Sequence, residues 1–399
     1  MIQGGEEGKM AKTVQDANEG ERAVHETLRR VVRSWGQREL ECQAGDYDAR
    51  GSFNRTLFQR LGTELGLLGV TVDVAHGGAG QDGLSTLIVI EELSRFDPGF
   101  VLSYLAHEVL FVHHLWSLSR EAPHVALLKR AMSGEWLCGM AMSEPCCGTD
   151  VLGMQTRAVR RGDHFVLNGT KQWITNGPNG DAFLVYARSG EGPRDISLFI
   201  VERGFRGLSV GRAEEKLGMR ASVTGSLYLS ECEVPADHLV GSLNGALPGM
   251  MRNLAFERLA LAAQSCGIAS RCVEEMTQYA VCERQAFGEH LVAFGQIQRL
   301  LAESYAHTEA ARGMVYGVAG RLEAGTAQPA EADAAKLFAT GVGESVSRNA
   351  IQVLGGMGYS RNRPVERLHR DAILLSIGGG TNEALQKNIA RALARRCRS

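Results

Sequence analysis

Glu257 is a carboxylate in the first turns of an apolar, alanine-rich run from Met251 to Met276. Leu254 precedes it by three residues and Leu261 follows it by four, so on a helix all three share one face. One reading is an edge glutamate screened by Arg258. The other is a carboxylate held in an apolar site, its pKa raised toward neutrality so that it can take a proton from carbon. Two further stretches carry chemistry, MAMSEPCCGTD (Met140 to Asp150) and LNGTKQWITNG (Leu167 to Gly177). In the second, an Asn168-Gly169 turn leads into a strand that sets Trp173 and Thr175 on one side, because alternate residues share a face. An aromatic plane and a hydroxyl so placed suit a flat heteroaromatic ring, or an ordinary hairpin around a core tryptophan. Of two glycine clusters, LGGMGYSRN and IGGGTNEAL, neither follows a strand, which argues against a Rossmann fingerprint. The second precedes a helix starting near Thr381, whose free N–H groups suit a phosphate or close a tight turn. His107, His113 and His114 read as packed or partly solvated side chains, since ligand spacing is missing and no metal is expected.

The elements that must position these residues come in three textures. From about Glu21 to Trp136 apolar positions recur at three and four residues, as in ERAVHETLRRVVRSWGQREL and FNRTLFQRLGTELG, where Gly66 fits a helix stop. From Cys138 to about Val240 the segments are short and β-branched, with a Gly162-Asp163 turn inside TRAVRRGDHFVLNG. Strands without intervening helices predict an antiparallel barrel or sandwich. Helices then resume over Met251 to Glu283, Ala293 to Ala324, Ala330 to Leu354 and Asn382 to Arg396, as in a four-helix bundle.

Composition narrows the function. Lysine plus arginine number 43 against 45 for aspartate plus glutamate, and the sequence pI is about 6.6. That balance gives no footprint for nucleic acid or an anionic membrane and points to a small molecule. Nine cysteines, including adjacent Cys146 and Cys147, lack CxxC spacing and predict reduced thiols. No apolar run approaches the roughly 20 residues of a membrane span. Residues 1–20 read as a disordered leader rather than a signal or transit sequence.

Together with the helical, β, helical order, these stretches resemble the acyl-CoA dehydrogenase family of flavoproteins. Further matching segments are GLLGVTVDVAHGGAG (Gly66 to Gly80), KLGMRAS (Lys216 to Ser222), ERQAFG (Glu283 to Gly288), QVLGGMGY (Gln352 to Tyr359) and GGGTNEA (Gly378 to Ala384). LSYLAHEVL (Leu102 to Leu110), AMSEP and FERLAL (Phe256 to Leu261) are most similar to the isovaleryl-CoA dehydrogenase branch. The resemblance implies an α+β fold. Its parts would be an N-terminal helical domain (21–137), a central antiparallel β domain (138–245) and a C-terminal four-helix bundle (246–399).

The resemblance also implies FAD, with Met142, Ser143, Trp173 and Thr175 at its ring and Arg284 and Phe287 at its pyrophosphate and adenosine. Gln352, Gly356, Thr381 and Glu383 match further flavin positions, the first two reaching the FAD of a neighbouring subunit in a homotetramer. The implied reaction removes an α proton by base while the β hydrogen leaves as hydride, with the N–H of Gly379 bonded to the thioester oxygen. Most members carry the base where this chain has Gly379; a few carry it where this chain has Glu257. Thr149 and Arg258 fall on substrate-binding positions, and electron-transfer flavoprotein is the implied acceptor. The expected compartment is the cytoplasm, or the mitochondrial matrix in a eukaryote.

Cys147, Thr149 and Gly295 depart from the family's usual alanine, serine and glutamine, which bears on the thioester carrier. A dehydrogenase for another short acyl thioester, including a carrier-bound acyl or prolyl group, is the alternative. A non-catalytic acyl-CoA-binding relative and a flavin oxidase or monooxygenase are the readings from other classes.

Overall fold

The computed structural model describes residues 20 and 22–398. The leader expected over residues 1–20 lies, Gly20 apart, outside them. Helix α1 (residues 22–35) continues through a π-turn at Gly36–Leu40 into α2 (Glu41–Arg50). Then come α3 (Arg55–Leu65), α4 (Gly83–Ser94), α5 (Pro98–His107), a second π-turn at Glu108–His113, α6 (His114–Leu118) and α7 (Ala122–Met132). Their starts follow ordinary capping chemistry: Asn54, Asp82 and Asp97 accept from backbone N–H groups of α3, α4 and α5. Gly66 closes α3 in the left-handed conformation, as its position predicts. Residues of α4 and α5 are buried on every side, which places these two helices inside the molecule rather than on it.

Eight strands follow: β1 (Cys138–Ala141), β2 (Arg157–Arg161), β3 (His164–Thr175), β4 (Ala182–Arg188), β5 (Ile196–Glu202), β6 (Leu208–Val210), β7 (Thr224–Pro235) and β8 (Leu239–Val240). They form one sheet in the order β6-β7-β3-β2-β4-β5-β8, with β1 beside β4. Pairing is antiparallel except where β1 and β2 meet β4. Asn168-Gly169 is not a turn. β3 runs straight through it with a bulge, Asn168 exchanges hydrogen bonds with Glu231, and a Cβ on Gly169 would come within 2.4 Å of Thr156 Oγ1. The glycine is there for close approach between strands, not for reversal of the chain.

The C-terminal part is helical: α8 (Leu247–Gln278), α9 (Gly295–Glu323), α10 (Pro329–Leu354), α11 (Gly356–Tyr359), α12 (Val365–Leu375) and α13 (Asn382–Arg396), with a hairpin of β9 (Gln285–Ala286) and β10 (Glu289–His290) after α8. α8 starts at Leu247, four residues before the Met251 start expected, with Pro248 in its first turn. The fourth helix against α8 and α10 is α12, which the sequence reading omitted, while α13 lies along α10. α12 buries Val365, Leu368, Ala372 and Leu375, but also Arg367 and Asp371. Those two charges interrupt the apolar stripe and conceal the helix. Among the described residues no helix is long and apolar enough to cross a membrane.

Candidate active site

Glu257 lies in the third turn of α8, where all three parts of the fold converge. Its neighbour Phe256 meets the ring of His113 in the second π-turn at 4.6 Å, and Tyr186 of β4 lies within electrostatic reach of its carboxylate. Part of its surface stays accessible, yet burial pushes its carboxyl up to about 7, with Arg258 and Lys336 pulling the other way. Both facts hold for a side chain shielded from bulk water without being sealed from it. A carboxylate that ionises near neutrality has the proton affinity a general base needs.

Facing it is the loop before α13. Gly379 has φ 64°, and a Cβ there would lie 3.8 Å from Glu257 Oε1 and 2.5 Å from Leu261 Cδ1. The bland reading of Glu257 as an edge residue paired with Arg258 fails. Arg258 Nε donates to Gly379 O at 3.2 Å and Nη1 to Asp333 at 2.7 Å. Lys336 Nζ donates to Gly380 O at 2.9 Å and Asn382 Oδ1 at 3.1 Å. Two cations thus hold the loop by its carbonyls, and among the described residues no acceptor takes the N–H of Gly379. Thr381 accepts from Ala384 N as the cap of α13, and Glu383 is exposed in its first turn.

The wall supplied by the β sheet rests on an ion pair. Lys171 is fully buried and donates to Glu144 Oε1 at 2.8 Å and to Met142 O at 3.1 Å. Glu144 also accepts from Gln155 N, Thr156 N and Thr156 Oγ1. Burial opposes its charge, but Lys171 and these donors hold its carboxyl below the ordinary value. Gln172 N donates to Ser143 O at 2.9 Å, which brings the Ser143 turn against the segment carrying Trp173. A second bulge follows Lys171, and Trp173 stands 58 % exposed at φ 61°. An indole kept in solvent on a strained backbone, beside Ser143 and the half-buried Thr175, fits a planar ring cofactor.

Glu144, Cys146 and Cys147 also bring three possible ligand atoms within 4.8 Å of one another. Four donors, the Lys171 ammonium among them, already occupy Glu144, so the cluster reads as an ion-pair hub. Burial pushes the Cys147 thiol up to about 11. Thr149 is exposed just beyond this turn.

Four expected cofactor residues lie elsewhere. α8 carries the chain from Glu257 to Gln278, about 32 Å at 1.5 Å per residue, and Arg284 lies six residues beyond that end. Ser265 Oγ donates to Ala339 O and Lys336 lies beside Glu257, so α8 and α10 run in the same direction. Gln352 and Gly356 therefore finish at the end that carries Arg284 and Phe287. All four are exposed there, Phe287 at 98 %.

Sequence reasoning missed Lys171 and Lys336. The lysine of AAKLFA is an isolated charge in an apolar helical run, the same signal that singled out Glu257. Lys171 gave no comparable sign, because its partner is 27 residues away and sits in a turn.

Models of three domains of one family match the chain: acyl-CoA dehydrogenase N-terminal domain over residues 22–135, middle domain over 139–232 and C-terminal domain over 247–394. The chain is 36 % identical over 385 residues to mitochondrial isovaleryl-CoA dehydrogenase of Pongo abelii, covering 95 % of this chain and 90 % of that one. It is equally, 36 %, identical over 362 residues to a short-chain specific acyl-CoA dehydrogenase of Clostridium acetobutylicum, covering 90 % and 94 %. The solved butyryl-CoA dehydrogenase of Megasphaera elsdenii superposes with a TM-score of 0.89 at 32 % identity, covering 93 % of this chain and 98 % of that one. The chain therefore belongs to the acyl-CoA dehydrogenase family, as an FAD-dependent oxidoreductase acting on the CH–CH bond of an acyl-CoA.

Proposed function

We propose that the protein converts a short branched acyl-CoA, isovaleryl-CoA, to its α,β-unsaturated thioester and passes the electrons to electron-transfer flavoprotein. The observation that carries this reading is the carboxyl of Glu257, raised to about 7 and facing a glycine at 3.8 Å from its Cβ position. Glu257 takes the α proton. The carbanion charge spreads onto the thioester oxygen, where the N–H of Gly379, held by the grips of Arg258 and Lys336 on the loop carbonyls, stabilises it. FAD, when bound, would supply the acceptor for the β hydrogen and its electron pair. Trp173, Thr175 and the Met142-Ser143 turn orient the ring, and Arg258 and Thr149 frame the thioester side. The side chain missing at Gly379 leaves room beside the α and β carbons for a methyl branch.

The cluster of Arg284, Phe287, Gln352 and Gly356 fits the FAD of a neighbouring subunit, since no dinucleotide extends from it to Glu257 of the same chain. This supports an assembly of at least two chains, as in the expected homotetramer, and moves Arg284 and Phe287 to the neighbour's site along with Gln352 and Gly356. A carrier-bound acyl or prolyl group is the second reading, favoured by the Cys147 and Thr149 departures beside the thioester position. Turnover with an artificial electron acceptor on isovaleryl-CoA, butyryl-CoA, isobutyryl-CoA and carrier-bound substrates tests the choice. The first reading expects the highest kcat/KM on isovaleryl-CoA, and turnover confined to carrier-bound substrates overturns it.

A further inference from the structure

A cavity of about 370 Å³ opens between α2, the end of α4, α8 and the start of α12. Arg271 on its wall lies 14 residues beyond Glu257 on α8, about 21 Å at 1.5 Å per residue, so the cavity is separate from the site of the base. Its lining is rich in charge, and most of that charge is spent. Arg271 holds Glu41, and Arg370 holds both Asp48 and Glu366 at 2.8 Å. Asp46, the remaining acid, stands in solvent beside Arg50. Arg95 and Arg363 are taken by Glu274 and Glu283, outside the lining. Two guanidiniums are left over. Arg361 is exposed and has no partner among the described residues. Arg367 is 7 % exposed, and its one hydrogen bond runs from Nη2 to Phe96 O at 2.9 Å. Asp97 and Asp371 feel its charge, but neither forms an ion pair with it; they accept instead from Phe100 N and Met219 N. Its Nε is both unpaired and sealed, whereas Nη1 is unpaired without being sealed, and the cavity is the space it opens to.

The same wall presents a helix start. α12 follows Pro364 with no side-chain cap, and the N–H groups of Val365, Glu366 and Arg367 have no acceptor among the described residues. Pro364, Glu366 and Arg367 all line the cavity, so the positive end of α12 and the Arg367 guanidinium converge there. A guanidinium with one bond and no counter-ion is costly to bury, and the free N–H groups of a helix start receive anions readily. We infer that this cavity is a second ligand site, which takes an oxyanion, the phosphate or carboxylate group of a small molecule, between Arg361, Arg367 and the first turn of α12. A ligand held there ties α2 and α4 of the N-terminal part to α8 and α12 of the bundle.

The test titrates the FAD-loaded protein with inorganic phosphate, and separately with acetate, against chloride of matched ionic strength. Calorimetry should show saturable binding of one anion per chain, and the melting temperature should rise with anion concentration beyond what chloride produces. Tighter binding of phosphate assigns a phosphate group to the site, and tighter binding of acetate a carboxylate. Arg361→Ala should weaken the preferred anion about three- to tenfold and leave the melting temperature without anion unchanged, because Arg361 has no contact to lose. Arg367→Met should abolish saturation; if that variant fails to fold, Arg361→Ala decides alone. An anion effect no larger than that of chloride overturns the inference, as does an affinity within about twofold of wild type in Arg361→Ala. Glu283, the partner of Arg363, adjoins Arg284, so the rival occupant is a flavin pyrophosphate. Binding seen only after FAD is removed would give the cavity to that group and overturn a separate site.

Discussion

A Cβ on Gly379 would stand 3.8 Å from Oε1 of Glu257. A base rooted at residue 379 and the base rooted at 257 would therefore overlook one point in space from opposite walls. This chain fills the helix side and leaves the loop side open.

The carboxyl of Glu257 sets the acid limb of the pH profile. We expect kcat/KM to rise with pH through about 7 and then level, since the base acts only when ionised. Glu257→Gln should keep FAD and lose about 10²- to 10⁴-fold in turnover; near-normal activity would remove Glu257 from that role. Stability follows with the opposite sign. The folded carboxyl holds its proton up to about 7 while the unfolded one releases it near 4.5. Wild type thus loses stability as pH rises across that window, by roughly 3 kcal/mol at most. Melting curves should show Glu257→Gln gaining over wild type above pH 7 and matching it below about 4.5.

Moving the base to the loop needs more than one substitution. Gly379→Glu in the Glu257→Gln background must hold a side chain at φ 64° with its Cβ 2.5 Å from Leu261 Cδ1, a left-handed strain of about 1–2 kcal/mol plus a clash. We expect little recovery of turnover until Leu261→Ala is added. Equal recovery with and without that trimming would contradict the close contact.

Lys336 lowers the pKa of Glu257 and holds Gly380 by its carbonyl. Lys336→Met should shift the acid limb of kcat/KM upward by about one unit. A drop in rate with an unmoved limb would assign Lys336 to the loop alone.

Lys171→Met leaves Glu144 as an uncompensated buried charge, at a cost of about 3–5 kcal/mol. Chemical denaturation should show that loss, with partial recovery in the Lys171→Met, Glu144→Gln double variant. FAD should dissociate more readily from the single variant, because Met142 O loses the Lys171 ammonium of β3 while Ser143 keeps its bond from Gln172 N.

If each FAD site is completed by a second chain, damage on different chains should complement. Trp173→Ala impairs the ring end and Arg284→Ala the pyrophosphate end. Each variant alone should hold less flavin than wild type. Refolding the two together should give mixed chain pairs in which both defects fall in one site and the other site is intact. No gain in flavin absorbance on mixing would place Arg284 outside a shared site.

The architecture was legible because period-two and period-3.6 patterns alternate in long blocks, and Glu257 was legible because a lone charge in an apolar helical stripe requires a reason. What stayed hidden has one physical origin. Lys171 pairs with Glu144, Arg367 donates to Phe96 O and Asp371 accepts from Met219 N; these are buried charges whose partners are distant in sequence, and buried charge reads as surface when only local pattern is available. The Asn168-Gly169 error is of the same kind: the dipeptide favours a turn locally, but its glycine answers to Thr156 across the sheet. The four outlying residues were expected at the cofactor from motifs alone, and the run of α8 shows how far they lie from Glu257.

That helix also limits how the chain tolerates change in length. α8 is continuous from Leu247 to Gln278, and each residue turns it by about 100°. One residue gained or lost after Glu257 would swing Arg284 and Phe287 to another side of the molecule, while seven, close to two whole turns, would nearly restore their direction but displace them by about 10 Å. Substitutions can vary the chemistry at either end of α8, whereas insertions and deletions between the ends are closed to it.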